Sequence, residues 1–371
     1  MKRKRILPVL ALVCAALLLC ACGAAAAPAS APEITPEPTP EPTPEPTEII
    51  LNGSESAEEI LALKDISALR RVEGAASTEY DALLALYKAR PDVEVLWNYA
   101  FEGMLYPNTS TELKAQGLEG LEDAVRYLPA LSYIDVIDTP ATVEDLDRLY
   151  DINPDAFYYW SFEHDGFTIR TDIQVYSSLR DAIIHRFTSE ELYPMLKYCK
   201  HLKALDLGHN DLTDVYWIGQ LKELEVLILA DNPHLVDASP LGNLENLIYL
   251  EFFMNHAVED FSWLNNLTKM KDLNLCYTDH IGNMDFLAYM PDLTFLMVKY
   301  SDCTSETFRY WQEQYPEANM VFYDGNHESC DSGWRDTERN YHIRYAFASW
   351  RHVVHYEHYD DVEFDFNRFI Y

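Results

Sequence analysis

Two carboxylates, three histidines and one cysteine are the residues of this 371-residue chain whose type and spacing could do bond chemistry. Asp206 and Glu251 could flank a scissile bond as general acid and base. His352, His355 and His358 recur at steps of three and could offer imidazole nitrogens to a metal. Cys22 closes an apolar stretch near the start, where a thiol can be acylated. Another set works by contact. Tyr249, Phe253, Met254, Tyr277, Phe295 and Tyr300 supply apolar surface beside Glu251 and Asn274. No nucleophile elbow, H-E-x-x-H helix, phosphate loop or dinucleotide fingerprint occurs. Cys199, Cys276, Cys303 and Cys330 fit no zinc spacing.

A repeat between residues 199 and 301 must position these groups. Leu202-Leu205-Leu207, Leu224-Leu227-Leu229, Leu247-Leu250-Phe252, Met270-Leu273-Leu275 and Leu293-Leu296-Val298 share one spacing. The central leucines 205, 227, 250, 273 and 296 step by 22, 23, 23 and 23. Asn210, Asn232 and Asn255 follow at a fixed offset, and Thr278 and Ser301 take that place in the last two copies. The alternation around each central leucine is that of a short strand, and only stacking buries the leucines. The Asn suits a tight bend, where its side chain satisfies unpaired backbone groups. Its loss at 278 and 301 implies that the bend relaxes towards the C-terminal end. Ile218, Leu241, Leu264 and Leu287 close the copies. In this register Leu227 and Leu250 point inward and Tyr249 outward, so truncating Tyr249 is expected to cost little.

The stacking also decides the carboxylates. Asp206 and Glu251 are two repeats apart, about 10 Å at roughly 4.8 Å per strand, just beyond the reach of inverting hydrolysis. Acidic residues there read as solvated, and no enzyme activity is expected. Val353-Val354 and Tyr356 favour a strand that splits the three histidines between two faces, so no metal or other cofactor is expected.

These motifs, with LDLGHN, LILADN and SPLGNLENLIYLEFFMN, resemble the internalin type of leucine-rich repeat over residues 192–301. More narrowly, LDLGHN, LILADN, LEFFMN and DLNLCY followed by GWRDTERNY resemble leucine-rich-repeat lipoproteins of anaerobic clostridia-like bacteria. The resemblance implies an α/β fold, a leucine-rich-repeat solenoid with a concave parallel sheet. It implies no particular ligand. On the concave side, Tyr249, Glu251, Phe253, Met254, Asn274, Tyr277, Phe295 and Tyr300 are expected to form a binding surface for a protein or a glycan. The competing reading is that N-terminal insertions or the C-terminal segment fold over them.

A longer unit precedes the regular repeats. Pro91–Trp97, Pro154–Trp160 and Pro316–Phe322 align, each after a helix-like run, with Ser77 or Thr78, Thr142, and Thr304 or Ser305 placed as N-caps. Glu102-Gly103 and Asp165-Gly166 are predicted hairpin turns. Residues 49–190 are therefore read as divergent, helix-bearing repeats with hairpin insertions, the alternative being a separate α/β domain. Residues 191–325 are read as regular repeats and 326–371 as an aromatic-rich C-terminal cap, in which Arg335, Arg339 and Arg344 pair with acidic neighbours.

The N-terminus carries an address. Lys2-Arg3-Lys4-Arg5 and an apolar run to Leu19 read as an export signal, residues 1–21. Leu19-Cys20-Ala21-Cys22 resembles a bacterial lipobox, which implies a lipid on Cys22. Residues 22–48 are read as the lipidated Cys and a stalk, of which the Ala-, Pro-, Thr- and Glu-rich residues 24–48 reach roughly 75 Å at about 3.1 Å per residue. The expected location is the cell surface, anchored to the outer face of the bacterial cytoplasmic membrane by lipid. The formal charge of −33 argues against a nucleic-acid partner. The expected role is recognition of an extracellular protein or glycan. The other readings are a cell-wall-acting enzyme and an envelope scaffold without a discrete ligand. Cys276 is expected at the surface. Cys303 and Cys330 could be bridged, with free thiols favoured.

Overall fold

Seven parallel strands form the largest sheet of the computed structural model, which describes residues 45–164, 167–178 and 186–322 and eight positions between 333 and 347. The strands are Val175–Ser177, Ala204–Asp206, Val226–Ile228, Tyr249–Glu251, Asp272–Asn274, Phe295–Met297 and Asn319–Val321. They pair in chain order, with Leu205, Leu227, Leu250, Leu273 and Leu296 directly opposite one another. The column continues to Tyr176 on one side and Met320 on the other, so the sheet outruns the five copies legible by spacing. All five leucines are fully buried. Each such burial is worth about 1.5–3 kcal/mol, which no isolated copy could realise.

Short 3-10 turns close the repeats opposite the strands: Ile218–Gln220, Ser239–Asn243, Ser262–Asn266 and Asp285–Tyr289. Ile218, Leu241, Leu264 and Leu287 turn inward from them. Successive turns stack closely enough to select glycine, since a Cβ on Gly219 would lie 2.4 Å from the Pro240 carbonyl oxygen.

The asparagines follow the logic of unpaired backbone. Asn232 Nδ2 donates to the Leu207 and Leu229 carbonyls, both at 3.0 Å, while its Oδ1 accepts from Leu212 N. Asn255 repeats this one copy later, bonding Leu229 O, Phe252 O and Asn232 N. Thr278 has a single proton to donate, with Phe252 O at 3.4 Å and Cys276 O at 3.3 Å as alternatives. The bend itself does not relax. The residue before each closing Asn, Thr or Ser keeps a left-handed φ between 49° and 64°, through Tyr277 and Tyr300. Stacking fixes the backbone even where the hydrogen bonds weaken.

Two strand–helix–strand–hairpin units precede this sheet. The first runs through Arg71–Glu73, Tyr80–Ala89 and Glu94–Leu96 into the hairpin Asn98–Phe101/Met104–Pro107. The second runs through Tyr133–Asp135, Val143–Ile152 and Phe157–Tyr159 into Ser161–His164/Phe167–Arg170. Glu102 and Gly103 form the first turn, both with positive φ, as a two-residue hairpin requires. Asp165 and Gly166 lie outside the described residues. Trp97 and Trp160 occupy equivalent places. The backbone N–H of Trp97 donates to Asn108 Oδ1, and that of Trp160 to Thr171 Oγ1. Thr142 caps its helix with a reciprocal bond to Asp145, and Thr304 caps the helix Ser305–Gln314. Ser77 and Thr78 do not cap Tyr80–Ala89, whose N-cap position is Glu79.

Glu45, within the stretch assigned to the stalk, packs onto the first unit: its carboxylate accepts from Ser67 Oγ and Ala68 N. Lys197 ties the long units to the regular repeats. Its ammonium lies 2.5 Å from Asp147 on Val143–Ile152 and over the rings of Tyr193 (4.7 Å) and Tyr198 (5.0 Å). One apolar core runs from Phe101 to Phe347, and a second gathers residues between Leu51 and Trp97.

Candidate functional site

The first and third residues of each strand share one sheet face, the face expected to bind. Most of it is covered. Trp334 packs against Tyr249 and Phe295 in tilted contacts, ring centroids 5.3 and 4.9 Å away. Asn340 Nδ2 donates to Tyr249 Oη at 2.6 Å and to Glu251 Oε1 at 3.1 Å, and Tyr249 Oη donates to Glu251. Tyr249, Glu251, Phe253, Asn274 and Phe295 are all buried. The expectation that Tyr249 points to solvent therefore does not hold. Its ring points away from the leucine core, but into the segment that contains Trp334 and Asn340.

Arg339 belongs to the same contact. It reaches Asp272 in the sheet and Thr294 Oγ1. Burial pushes the Asp272 carboxyl above its ordinary value, and Arg339 and Thr294 pull it partly back. A signal for this was present in the sequence. Asp272 is the only charge in the column Ala204, Val226, Tyr249, Asp272, Phe295, so a buried counter-charge was implied.

Three expected residues, Met254, Tyr277 and Tyr300, remain half-buried. They follow the strands rather than lying in them. They form one row with His209 and Asp231, also half-buried, and all five have left-handed φ. That backbone throws each side chain outward at the rim of the sheet. Tyr277 and Tyr300 stack at 4.4 Å with 17° between planes. At the other end, His209 Nδ1 lies 2.8 Å from Asp231 Oδ2, which also accepts from Arg186 at 2.7 Å. The rim thus grades from an ionic end through Met254 to an aromatic end. Non-glycine residues in this region carry strain, which concentrates where a side chain must be presented.

Asp206 and Glu251, weighed as an acid/base pair and expected to be solvated, are instead buried and spent on internal bonds. Asp206 accepts from Ser177 Oγ at 3.2 Å and Gly208 N at 3.1 Å, and Glu251 from Tyr249 and Asn340. Asn274 Oδ1 accepts from Cys276 N at 3.0 Å. Cys276 is buried, not superficial, because it sits between the strand and the bend. The Cys303 thiol is free, and burial pushes it up to about 11. Cys22, Cys330 and the histidines 352, 355 and 358 lie outside the described residues. Among the described residues, no group of three or more His, Cys, Asp or Glu is placed to hold a metal.

No protein-family profile matches the chain, and no curated protein is similar to it. Solved structures are. Internalin C2 of Listeria monocytogenes is 23% identical over 57% of this chain and 76% of its own, with a TM-score of 0.31. Internalin F of the same species is 16% identical over 75% and 66%, TM-score 0.33. A leucine-rich-repeat protein of Leptospira interrogans is 15% identical over 73% and 74%, TM-score 0.29. The class is defined by the chain's own register, strands in step with an Asn, Thr or Ser closing each. It is an α/β leucine-rich-repeat solenoid.

Proposed function

We propose that this chain is a cell-surface binding protein, exported and held by a lipid on Cys22, that recognises an extracellular protein or glycan along the rim His209–Asp231–Met254–Tyr277–Tyr300. The observation that carries the reading is the stacked Tyr277–Tyr300 pair, half-exposed and held in left-handed backbone. Two parallel rings at a rim offer a flat apolar platform to a sugar ring or a side chain. The helix-bearing units before residue 175 extend the solenoid in this reading, and the segment around Trp334 caps its sheet face. Binding is preferred to hydrolysis because Asp206 and Glu251 are buried and hydrogen-bonded. A nucleic-acid partner is disfavoured by the net charge of −33.

The covering of Tyr249 and Phe295 supports a second reading, an envelope scaffold with no discrete ligand. A screen of glycans and surface proteins against the purified protein separates the two. Tyr277→Ala and Tyr300→Ala should each weaken the captured partner about tenfold or more, as truncating an aromatic anchor does. Asn243→Ala on the opposite side should not. Retained affinity in both tyrosine variants would reject the rim, and an empty screen would favour the scaffold. Cys22→Ala should abolish membrane retention; unchanged retention with normal processing would reject the anchor.

A further inference from the structure

Asn52 is followed by Gly53, the single Asn-Gly pair in the chain. The pair lies in the loop between the edge strand Glu48–Ile50 and the short helix Ala57–Ala62, and Asn52, Gly53 and Ser54 are all exposed. An asparagine side chain carries an electrophilic carbon, Cγ. The backbone nitrogen of the next residue can attack it and close a five-membered ring. Glycine brings that nitrogen without a side chain in the way.

The loop holds both reacting groups. Asn52 Oδ1 accepts from Ser54 N at 3.0 Å and from Ser54 Oγ at 2.6 Å. The ring closed by the first of these bonds runs through both Asn52 Cγ and Gly53 N. The Gly53 N–H donates to Glu55 Oε2 at 3.0 Å, and the Asn52 N–H reaches both Glu55 oxygens at 3.1 Å. The bond from Asn52 N, with those from the neighbouring amides, holds the Glu55 carboxyl below its ordinary value, so it is ionised at neutral pH. Two donors therefore face the oxygen that gains charge when Cγ is attacked. A carboxylate faces the proton that the attacking nitrogen must lose. The glycine itself is fixed: its φ is 85°, and a Cβ there would lie 2.4 Å from the Ala76 carbonyl oxygen.

We propose that Asn52 is a self-modification site, at which the folded chain converts asparagine to aspartate and isoaspartate through a cyclic imide. Gly53 N bonds to Asn52 Cγ as its proton passes to Glu55. The Cγ–Nδ2 bond then breaks, and ammonia leaves with that proton. Water opens the imide at either carbonyl. Attack at Cγ gives aspartate, and attack at the backbone carbon gives isoaspartate. Isoaspartate adds one carbon to the main chain directly after Leu51, whose N–H donates to Glu73 O at 2.8 Å. The edge strand loosens as that product forms.

The test is peptide mapping by mass spectrometry of the full chain aged in mildly alkaline buffer. Asn52 should gain the mass difference of aspartate over asparagine, as two separable products, ahead of every other asparagine. Ser54→Ala removes the hydroxyl donor, and Glu55→Gln keeps an acceptor but not the base. Each should slow the conversion about threefold or more, since water replaces the lost group only in part. In concentrated urea, wild type and variants should react at one rate. Thermal unfolding of each variant checks its fold, and amide exchange at Leu51 should accelerate in the aged protein. An unmodified Asn52 overturns the proposal. So does a wild-type rate in either variant, a difference in rate that persists in urea, or unchanged Leu51 exchange after conversion.

Discussion

Arg339 and Asp272, 67 residues apart in the chain, meet on the sheet face, with Arg339 Nη1 at 2.5 Å from both carboxylate oxygens. Asp272 is 4% exposed and Arg339 23%. Removing the cation strands a buried charge, so Arg339→Ala should destabilise the fold by about 3 kcal/mol. Asp272→Asn, which keeps a polar partner, should cost less. Denaturant unfolding of both variants measures this, and an Arg339→Ala cost below that of Asp272→Asn would mean that the pair is not buried in solution.

The same carboxyl gives a pH dependence. Its pKa in the fold is raised above the ordinary 3.8, chiefly by burial. The native state then holds the proton more tightly than the unfolded chain. The stability this residue contributes is complete below about pH 3.8 and is lost as pH rises through the raised value. Wild type should therefore lose stability relative to Asp272→Asn between pH 3.8 and neutrality. A difference that grows in the wild type's favour over that window would show that Arg339 outweighs burial.

Tyr249 should behave as a core residue. It is 1% exposed and supplies a proton to Glu251. Tyr249→Ala should cost about 3–5 kcal/mol, comparable with the 2–5 kcal/mol of Leu250→Ala one residue away. Thermal unfolding compares them. A Tyr249→Ala change near zero would show the sheet face open.

Asn232 satisfies three backbone groups, two carbonyls and the N–H of Leu212. Asn232→Ala leaves the Leu207 carbonyl and the Leu212 N–H buried and unpaired, while the Leu229 carbonyl keeps its bond from Asn255, at a cost of about 2–4 kcal/mol. Amide hydrogen exchange at Leu212 should accelerate in that variant. Unchanged protection there would mean that water replaces the side chain.

Met254 has φ 64°. A β-branched residue is strained in that region and glycine is not. Met254→Val should therefore destabilise more than Met254→Gly, by about 1 kcal/mol, although valine is the better hydrophobic match. The reverse order of unfolding midpoints would place the residue outside the left-handed region.

The sequence by itself determined the repeat. The period of 22–23 residues placed Leu205, Leu227, Leu250, Leu273 and Leu296 in one column, and the pairing is in that register. A strand's inward face is legible because alternation is local and stacking repeats it. The turn at Glu102-Gly103 and the caps at Thr142 and Thr304 were legible for the same reason, since each is set by residues within four positions. What lies on the outward face was not local. Tyr249 has the same strand position whether it meets water or Trp334, and only contacts spanning more than 80 residues decide between them. Spacing also carried no sign of the left-handed backbone at Met254, Tyr277 and Tyr300, because no glycine marks it there. Stacking imposes that conformation on whatever residue precedes the closing Asn, Thr or Ser. The rim therefore emerged only once the repeats were placed side by side.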